Sequence, residues 1–337
     1  PPFEKSIRYS DLTLSHDEEW LYCVRETHFE KEEAKNELVA ISTLKNQIIV
    51  LCTGRDFYSS PRINPINNEI CWLEWDHPNM PWDGTELFIG NFDSNALSEK
   101  KFIDGSKNIS IIQPEWSESG ELIYISDESG WWNLKKYSDN KKSTILDEET
   151  DHGGPSWLFG FRTYFVKDNF IYLRGSSKNK NKGLIRKLNF SGKIIEEIEI
   201  LHTSIGDLTF YDNKALYIGA SPVSNSEIVS LDLEKKEIKT IKESSKLEID
   251  SEEISTPQEI TFSTTENANA YGYFYKPKNK KYQGSSGEKP PVLVISHGGP
   301  TSATSNALNL SIQYWTNRGI AVVDVNYRGS TGYGKKF

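Results

Sequence analysis

Methionine is almost missing from this chain. Met80 is the only one among 337 residues, and the first residue is Pro1. The natural start is therefore not expected here, and the chain reads as a piece cut at both ends. Cysteine is scarce too. Cys23, Cys52 and Cys71 stand far apart, with no Cys-x-x-Cys pair, so neither a zinc site nor a disulfide framework follows. Three reduced, half-buried thiols in a cytoplasmic protein are the expectation. Basic charge is in deficit: 39 Lys and Arg against 48 Asp and Glu give a net charge of −9. Nucleic-acid binding leaves a basic footprint, so no nucleic-acid partner is expected. Long apolar runs are absent as well. None approaches the roughly 18 residues that span a bilayer, so no membrane partner is expected. A signal peptide ahead of Pro1 is left open.

Short aromatic strands are what the chain has in abundance. A polar turn leading into such a strand recurs at His16–Val24, Pro65–Leu73 and Ser117–Ile125, and more loosely at Val166–Leu173 and Phe210–Ile218. Strand onsets near residues 20, 69, 121, 169 and 215 give a period of roughly 46–52 residues, about that of one four-stranded propeller blade. A sandwich has closer turn spacing and no reason for so long a period. The expected fold up to about residue 255 is an all-β propeller, incomplete, with about five blades. A larger ring missing its first blades is preferred over a closed ring of five.

The polar stretch 243–257, ending in Thr256-Pro257, reads as a linker. Gln258–Ser263 and Tyr271–Tyr275 look like a strand pair, and 278–289 is a Lys, Gly and Ser loop. Then Pro290–Ser296 reads as a fully buried strand, running into His297-Gly298-Gly299-Pro300. A helix is expected from about Thr304 to Arg318, and a second buried strand over Ile320–Tyr327. Strand, Gly-rich loop, helix, strand is the opening of a parallel α/β sheet. A His-Gly-Gly loop at that point is where α/β-hydrolases build half of an oxyanion hole.

Four segments together resemble the prolyl oligopeptidase family of serine peptidases, nearest its acylaminoacyl-peptidase and dipeptidyl-aminopeptidase branch. They are His297–Pro300, Asn326–Gly334, Trp72–Leu87, and Trp116–Gly120 with Ser126–Leu134. The resemblance covers essentially the whole chain. It implies a propeller over 1–255 and the N-terminal half of an α/β-hydrolase domain over 256–337. The activity it implies is cleavage of short peptides through an acyl-enzyme, releasing aminoacyl, acylaminoacyl or dipeptidyl units without metal or organic cofactor. Short peptides are the expected partners, and a homo-oligomer is left open. An esterase or acyl-amino-acid hydrolase on the same scaffold is the first alternative, and a non-catalytic propeller binding protein partners the second.

The family's catalytic Ser sits on a Gly-x-Ser-x-Gly turn, with Asp and His after it. No such turn occurs here. Gly284-Ser285-Ser286-Gly287 and Gly329-Ser330-Thr331-Gly332 have the wrong spacing. Nucleophile, acid and base are expected beyond Phe337, and the chain alone is expected to be inactive. The site residues present are the oxyanion loop, His297, Gly298 and Gly299, with Arg328 as support for the active-site loop through an ion pair. Other branches place a Tyr donor at the loop's first position. His297 stands there instead, so imidazole and backbone N–H are both candidate donors.

Three features read as structural. Asp151-His152-Gly153-Gly154-Pro155 repeats the tetrapeptide but follows an acidic run, which assigns it to a propeller loop. Asp76 and His77 lie among Pro and Trp in a packed loop. Trp131 and Trp132 read as blade packing.

Overall fold

The computed structural model describes residues 6–176, 182–246 and 249–337. Leu247 and Glu248 of the expected linker lie outside the described residues.

Five successive four-stranded sheets form from strands taken in chain order. The first holds β1 (Ile7–Leu14), β2 (Trp20–Thr27), β3 (Lys35–Ser42) and β4 (Ile48–Cys52). The second holds β5 (Phe57–Ile63), β6 (Glu69–Trp75), β7 (Glu86–Phe92) and β8 (Leu97–Gly105). The third comprises β9 (Ile111–Trp116), β10 (Leu122–Ser126), β11 (Asn133–Ser138) and β12 (Lys141–Thr144). The fourth comprises β13 (Tyr164–Lys167), β14 (Phe170–Ser176), β15 (Gly183–Asn189) and β16 (Ile194–Ile200). The fifth is built from β17 (Ser204–Tyr211), β18 (Lys214–Ser221), β19 (Ser224–Asp232) and β20 (Ile238–Glu243). The architecture is propeller-like. The repeated onset in the sequence marks the second strand of every sheet: β2, β6, β10, β14 and β18.

Side-chain alternation explains why the sheets stack. Successive residues of a strand point to opposite faces. On β6, Ile70 and Trp72 join Trp20, Tyr22, Leu38 and Phe92 in one core. Cys71 and Leu73, one residue out of phase, join Ile103, Ile111, Leu122 and Tyr124 in the next. A strand buried on both faces needs apolar residues at successive positions, and Ile70–Leu73 supplies them. Edge strands show the opposite. All residues of β12 and β20 are exposed, and their lysines discourage pairing with another chain.

A second repeat lies in the first strands. Asp11, Ser60, Gln113 and Asp207 all have positive φ, between 46° and 56°. Each sits at a β-bulge in β1, β5, β9 or β17, where the register shifts. Bulges re-aim side chains, and two of these reach the next sheet. The Ser60 N–H donates to the Asp11 carboxylate. The Thr163 N–H donates to Gln113 Oε1 at 2.7 Å, and Gln113 Nε2 donates to the Tyr164 carbonyl at 2.6 Å.

All three cysteines are free and fully buried, not half-buried as expected. Each sits where strand alternation turns its side chain inward. Burial pushes Cys23 up to about 11 and Cys52 up to about 12, and raises Cys71 further.

The chain divides into two compact units. One runs to Tyr172 and includes Leu188–Ile194; the other comprises Leu173–Lys187 and Ile195–Phe337. Within the second lies a sixth sheet, of mixed direction, made from β21 (Gln258–Ser263), β22 (Asn269–Tyr275), β23 (Val292–Ser296) and β24 (Ala321–Asn326). Its order is β21-β22-β24-β23. β21 pairs antiparallel with β22, and β22 with β24; β23 and β24 are parallel. The helix α1 (Leu310–Thr316) makes the crossover between them and places Ile312 against Val322 and Tyr275.

Two expectations need correction. Among the described residues β23 is an edge strand with β24 as its sole neighbour in the sheet, and Val292 and Val294 are 53% and 65% exposed. Hydrophobic pattern reports what a strand can bury, not how many neighbours it has. The helix is also shorter than the expected 304–318. Thr304 N–H donates to Asn326 Oδ1 at 2.8 Å and Leu308 N–H to the Ser221 carbonyl at 2.8 Å, which holds the preceding chain outside a helix. Asn309 then caps α1, accepting from Ser311 N at 3.0 Å and Ile312 N at 3.3 Å.

Candidate functional site

The C-terminal ends of the parallel pair β23 and β24 carry the loops of interest. In open α/β sheets this is the end where ligands bind. His297 follows β23 directly, and Tyr327, Arg328 and Ser330 follow β24.

His297 is held on three sides. Its ring stacks on Tyr327, with centroids 4.4 Å apart and planes at 21°. Its Nδ1 lies 2.8 Å from the Gly298 carbonyl oxygen, and its Nε2 lies 2.7 Å from Ser330 Oγ. A carbonyl oxygen can only accept, so Nδ1 carries the ring proton and Nε2 accepts from the Ser330 hydroxyl. The Tyr327 hydroxyl in turn donates to the His297 carbonyl at 3.3 Å. The Thr331 N–H reaches the Ser302 carbonyl at 2.9 Å, a second tie between the two loops.

Gly298 and Gly299 face open space. A Cβ added at Gly298 would meet nothing within 4 Å, and one at Gly299 would approach Tyr327 Oη alone, at 3.8 Å. Among the described residues, no acceptor takes either N–H. Two adjacent unsubstituted amides beside a fixed imidazole are the kind of donor set that can meet developing negative charge.

The second copy of the tetrapeptide differs in every physical respect. His152 is buried and lies 2.8 Å from Glu148 Oε2. A Cβ at Gly153 would come within 2.8 Å of Ile112 Cδ1 and 3.0 Å of Trp132 Cβ. It is a packed loop, as expected. The loop at Asp76 and His77 is more open than expected, with His77, Pro78 and Met80 exposed, though Arg55 Nε lies 2.8 Å from Asp76 Oδ2 and the His77 ring meets Phe57 edge-on at 4.8 Å.

Arg328 pairs with Glu266 Oε2 at 3.1 Å, and its Nη2 donates to Thr265 Oγ1 at 3.2 Å. Both partners are exposed, so the pair contributes only about 0–1 kcal/mol. The groups touching His297 are Tyr327 and Ser330, which the sequence reading passed over. They flank Arg328 in the same Asn-Tyr-Arg-Gly-Ser run, and the nearest available signal was that adjacency.

A polar floor lies beneath the loops. Asp324, on central strand β24, is buried. Burial raises its carboxyl above the usual value, opposed by the hydrogen bond from the Thr304 hydroxyl. Asn326 accepts from Thr304 N and donates Nδ2 to Tyr333 Oη at 3.1 Å. Tyr333 stacks on Tyr271, with centroids 4.5 Å apart and planes at 5°. This framework fixes where the chain leaves β24, and so where Tyr327 and Ser330 stand.

Among the described residues, no helix is long and apolar enough to cross a membrane. No family model matches the chain. Dipeptidyl aminopeptidase BIII of Pseudoxanthomonas mexicana is 32% identical over 80 residues, 23% of this chain and 12% of that protein. Dipeptidyl-peptidase 5 of Schizosaccharomyces pombe is 24% identical over 314 residues, 90% of this chain and 36% of that one. The solved structure of a puromycin-hydrolyzing peptidase from Mycobacterium tuberculosis superposes with a TM-score of 0.91 at 27% identity. That match takes in 100% of this chain and 53% of the other. The chain thus spans about half of the solved relative, and well under half of the two curated ones. With dipeptidyl peptidases matching it in sequence and a peptidase matching its fold from end to end, the chain is similar to peptidases of the prolyl oligopeptidase family.

Proposed function

We propose that this chain is part of a serine-type peptidase that cleaves short peptides through an acyl-enzyme, releasing aminoacyl, acylaminoacyl or dipeptidyl units. In this reading 1–255 is propeller and 256–337 is the first part of an α/β-hydrolase domain. The observation that carries it is the open Gly298-Gly299 backbone at the C-terminal end of the parallel pair, braced through His297 by Tyr327 and Ser330.

The chemistry follows from those residues. Attack on a peptide carbonyl moves negative charge onto its oxygen, and a fixed N–H donor there contributes about 2.7–4 kcal/mol. The imidazole is a poor candidate for that donor. Its Nδ1 proton is committed to the Gly298 carbonyl, and its Nε2 is accepting from Ser330. The backbone amides of Gly298 and Gly299 are the donors, and His297 positions them. Arg328 supports the second loop through Glu266. The nucleophile, with its acid and base, comes from outside these 337 residues, since no Gly-x-Ser-x-Gly turn occurs among them. The protein works in the cytoplasm and uses no cofactor.

The test compares this chain with the longer gene product on aminoacyl, acetyl-aminoacyl and dipeptidyl p-nitroanilides. Turnover is expected only from the longer protein, and a fluorophosphonate should abolish it. Turnover that survives the fluorophosphonate but not a chelator would overturn the serine mechanism.

A further inference from the structure

The first compact unit has a cavity of its own, of about 350 Å³. Its rim comes from residues 80–82, between β6 and β7, and from residues 156–162, ahead of β13. Aromatic rings are prominent in the wall. Trp82 and Trp157 meet with centroids 4.4 Å apart, and Phe57 stacks on Trp75 at 5.2 Å and 19°. Phe159 and Phe161 also line it.

Two observations say what fits there. The rim loop presents three consecutive apolar side chains to water: Trp157, Leu158 and Phe159 are 46%, 79% and 48% exposed. Consecutive exposed apolar side chains at the mouth of a cavity are the kind of surface found at contact sites. The two arginines of the wall are meanwhile paired with carboxylates behind it, although Arg62 Nε and Glu115 Oε2 make no hydrogen bond. Arg62 Nη1 lies 3.2 Å from Asp11 Oδ1, Arg162 Nη1 lies 3.5 Å from Glu115 Oε2, and Gln113 is bound to Thr163 and Tyr164. Asp11 and Glu115 offset the charges of Arg62 and Arg162, so an ionic ligand finds no uncommitted counter-ion in the wall. A charged group entering would lose its water without gaining a counter-ion. Flat aromatic walls favour another ring, because offset and edge-on ring pairs gain beyond the area they bury.

We infer that this cavity binds an uncharged aromatic side chain of a peptide ligand. The peptide class rests on the peptidase reading above; the preference for a neutral ring rests on the cavity alone. Cavities of this size, largely apolar with a few placed polar groups, are typical of ligand sites.

Saturation-transfer NMR on the 337-residue chain tests it, with N-acetylphenylalaninamide, N-acetyl-lysinamide and N-acetylglycinamide as probes. The phenylalanine ring protons should take up saturation at concentrations roughly tenfold below those at which either other probe does, as expected of an apolar anchor. Trp157→Ala and Trp82→Ala should each weaken that binding at least about fivefold, with far-ultraviolet circular dichroism unchanged. Tyr282→Ala, at an exposed site in the second unit, should not. Equal binding of all three probes, or ring binding untouched in both folded tryptophan variants, overturns the inference. Hydrolysis plays no part in the readout. A chain that binds the ring while the longer protein fails to cleave peptides would refute the peptidase reading and leave the cavity standing.

Discussion

His297 Nε2 rests 2.7 Å from Ser330 Oγ, and that contact ties the loop after β23 to the loop after β24. Ser330 is buried, so its hydroxyl needs a partner. Ser330→Ala removes the donor and leaves Nε2 without one, at about 1–3 kcal/mol. The expected result is a lower unfolding midpoint for the second unit. In ¹⁵N NMR, His297 should keep the Nδ1–H tautomer that the Gly298 carbonyl dictates, while the Nε2 resonance shifts as it loses its donor.

The backbone-donor reading separates two substitutions. His297→Phe keeps a ring on Tyr327 and leaves both glycine amides in place. Gly298→Pro removes one donor outright. In the longer protein, Gly298→Pro should lower kcat by about 10²–10³, and His297→Phe by far less. The reverse ranking would make the imidazole the donor.

Trp72 is buried between the first two sheets and donates Nε1 to Glu74 at 2.7 Å. Trp72→Ala is expected to destabilise the first unit by about 3–5 kcal/mol. Guanidinium unfolding, followed by near-ultraviolet circular dichroism, measures it.

Two buried aspartates should respond to acid in opposite senses. Burial works against the charge on Asp104, but Lys142, Tyr124 and Lys135 outweigh it and hold the carboxyl below its ordinary 3.8. Its stabilisation is present above that value and is lost as pH falls through the folded pKa. Asp324 is raised above 3.8 by burial despite Thr304. Its contribution is full below that value and fades as pH rises through the folded pKa. From neutral pH down to about pH 2, the deficit of Asp104→Asn relative to the parent should shrink. Asp324→Asn should lose ground relative to the parent over the same range. Parallel pH profiles would contradict both assignments.

The buried thiols give a simple accessibility test. Burial holds Cys23 near 11 and Cys52 near 12, so little thiolate forms at pH 8. Ellman's reagent should label none of the three cysteines until denaturant opens the first unit.

The five sheets were legible because each second strand announces itself locally, as a polar turn followed by aromatic residues. Other features depend on residues far away in the chain. The bulges at Asp11 and Gln113 are set by bonds to Ser60 and Thr163, about 50 positions on, and one strand's composition carries no trace of them. Val292 and Val294 look like core residues, but their exposure depends on strand order. Asn309 was a readable helix cap that a continuous helical pattern concealed. At the site, Gly298 and Gly299 stood out because an open backbone needs glycine. Tyr327 and Ser330 did not, since a ring stack and a buried hydroxyl bond exist only once two loops meet.

The bulges at Asp11 and Gln113 behave like dovetail joints between neighbouring sheets. Each joint involves one sheet and the next, so strain introduced at one has no direct path to a sheet two places along. Stability in such an array is a chain of nearest-neighbour terms, and the first unit should come apart under load one seam at a time. Asp11→Ala would choose which seam parts first.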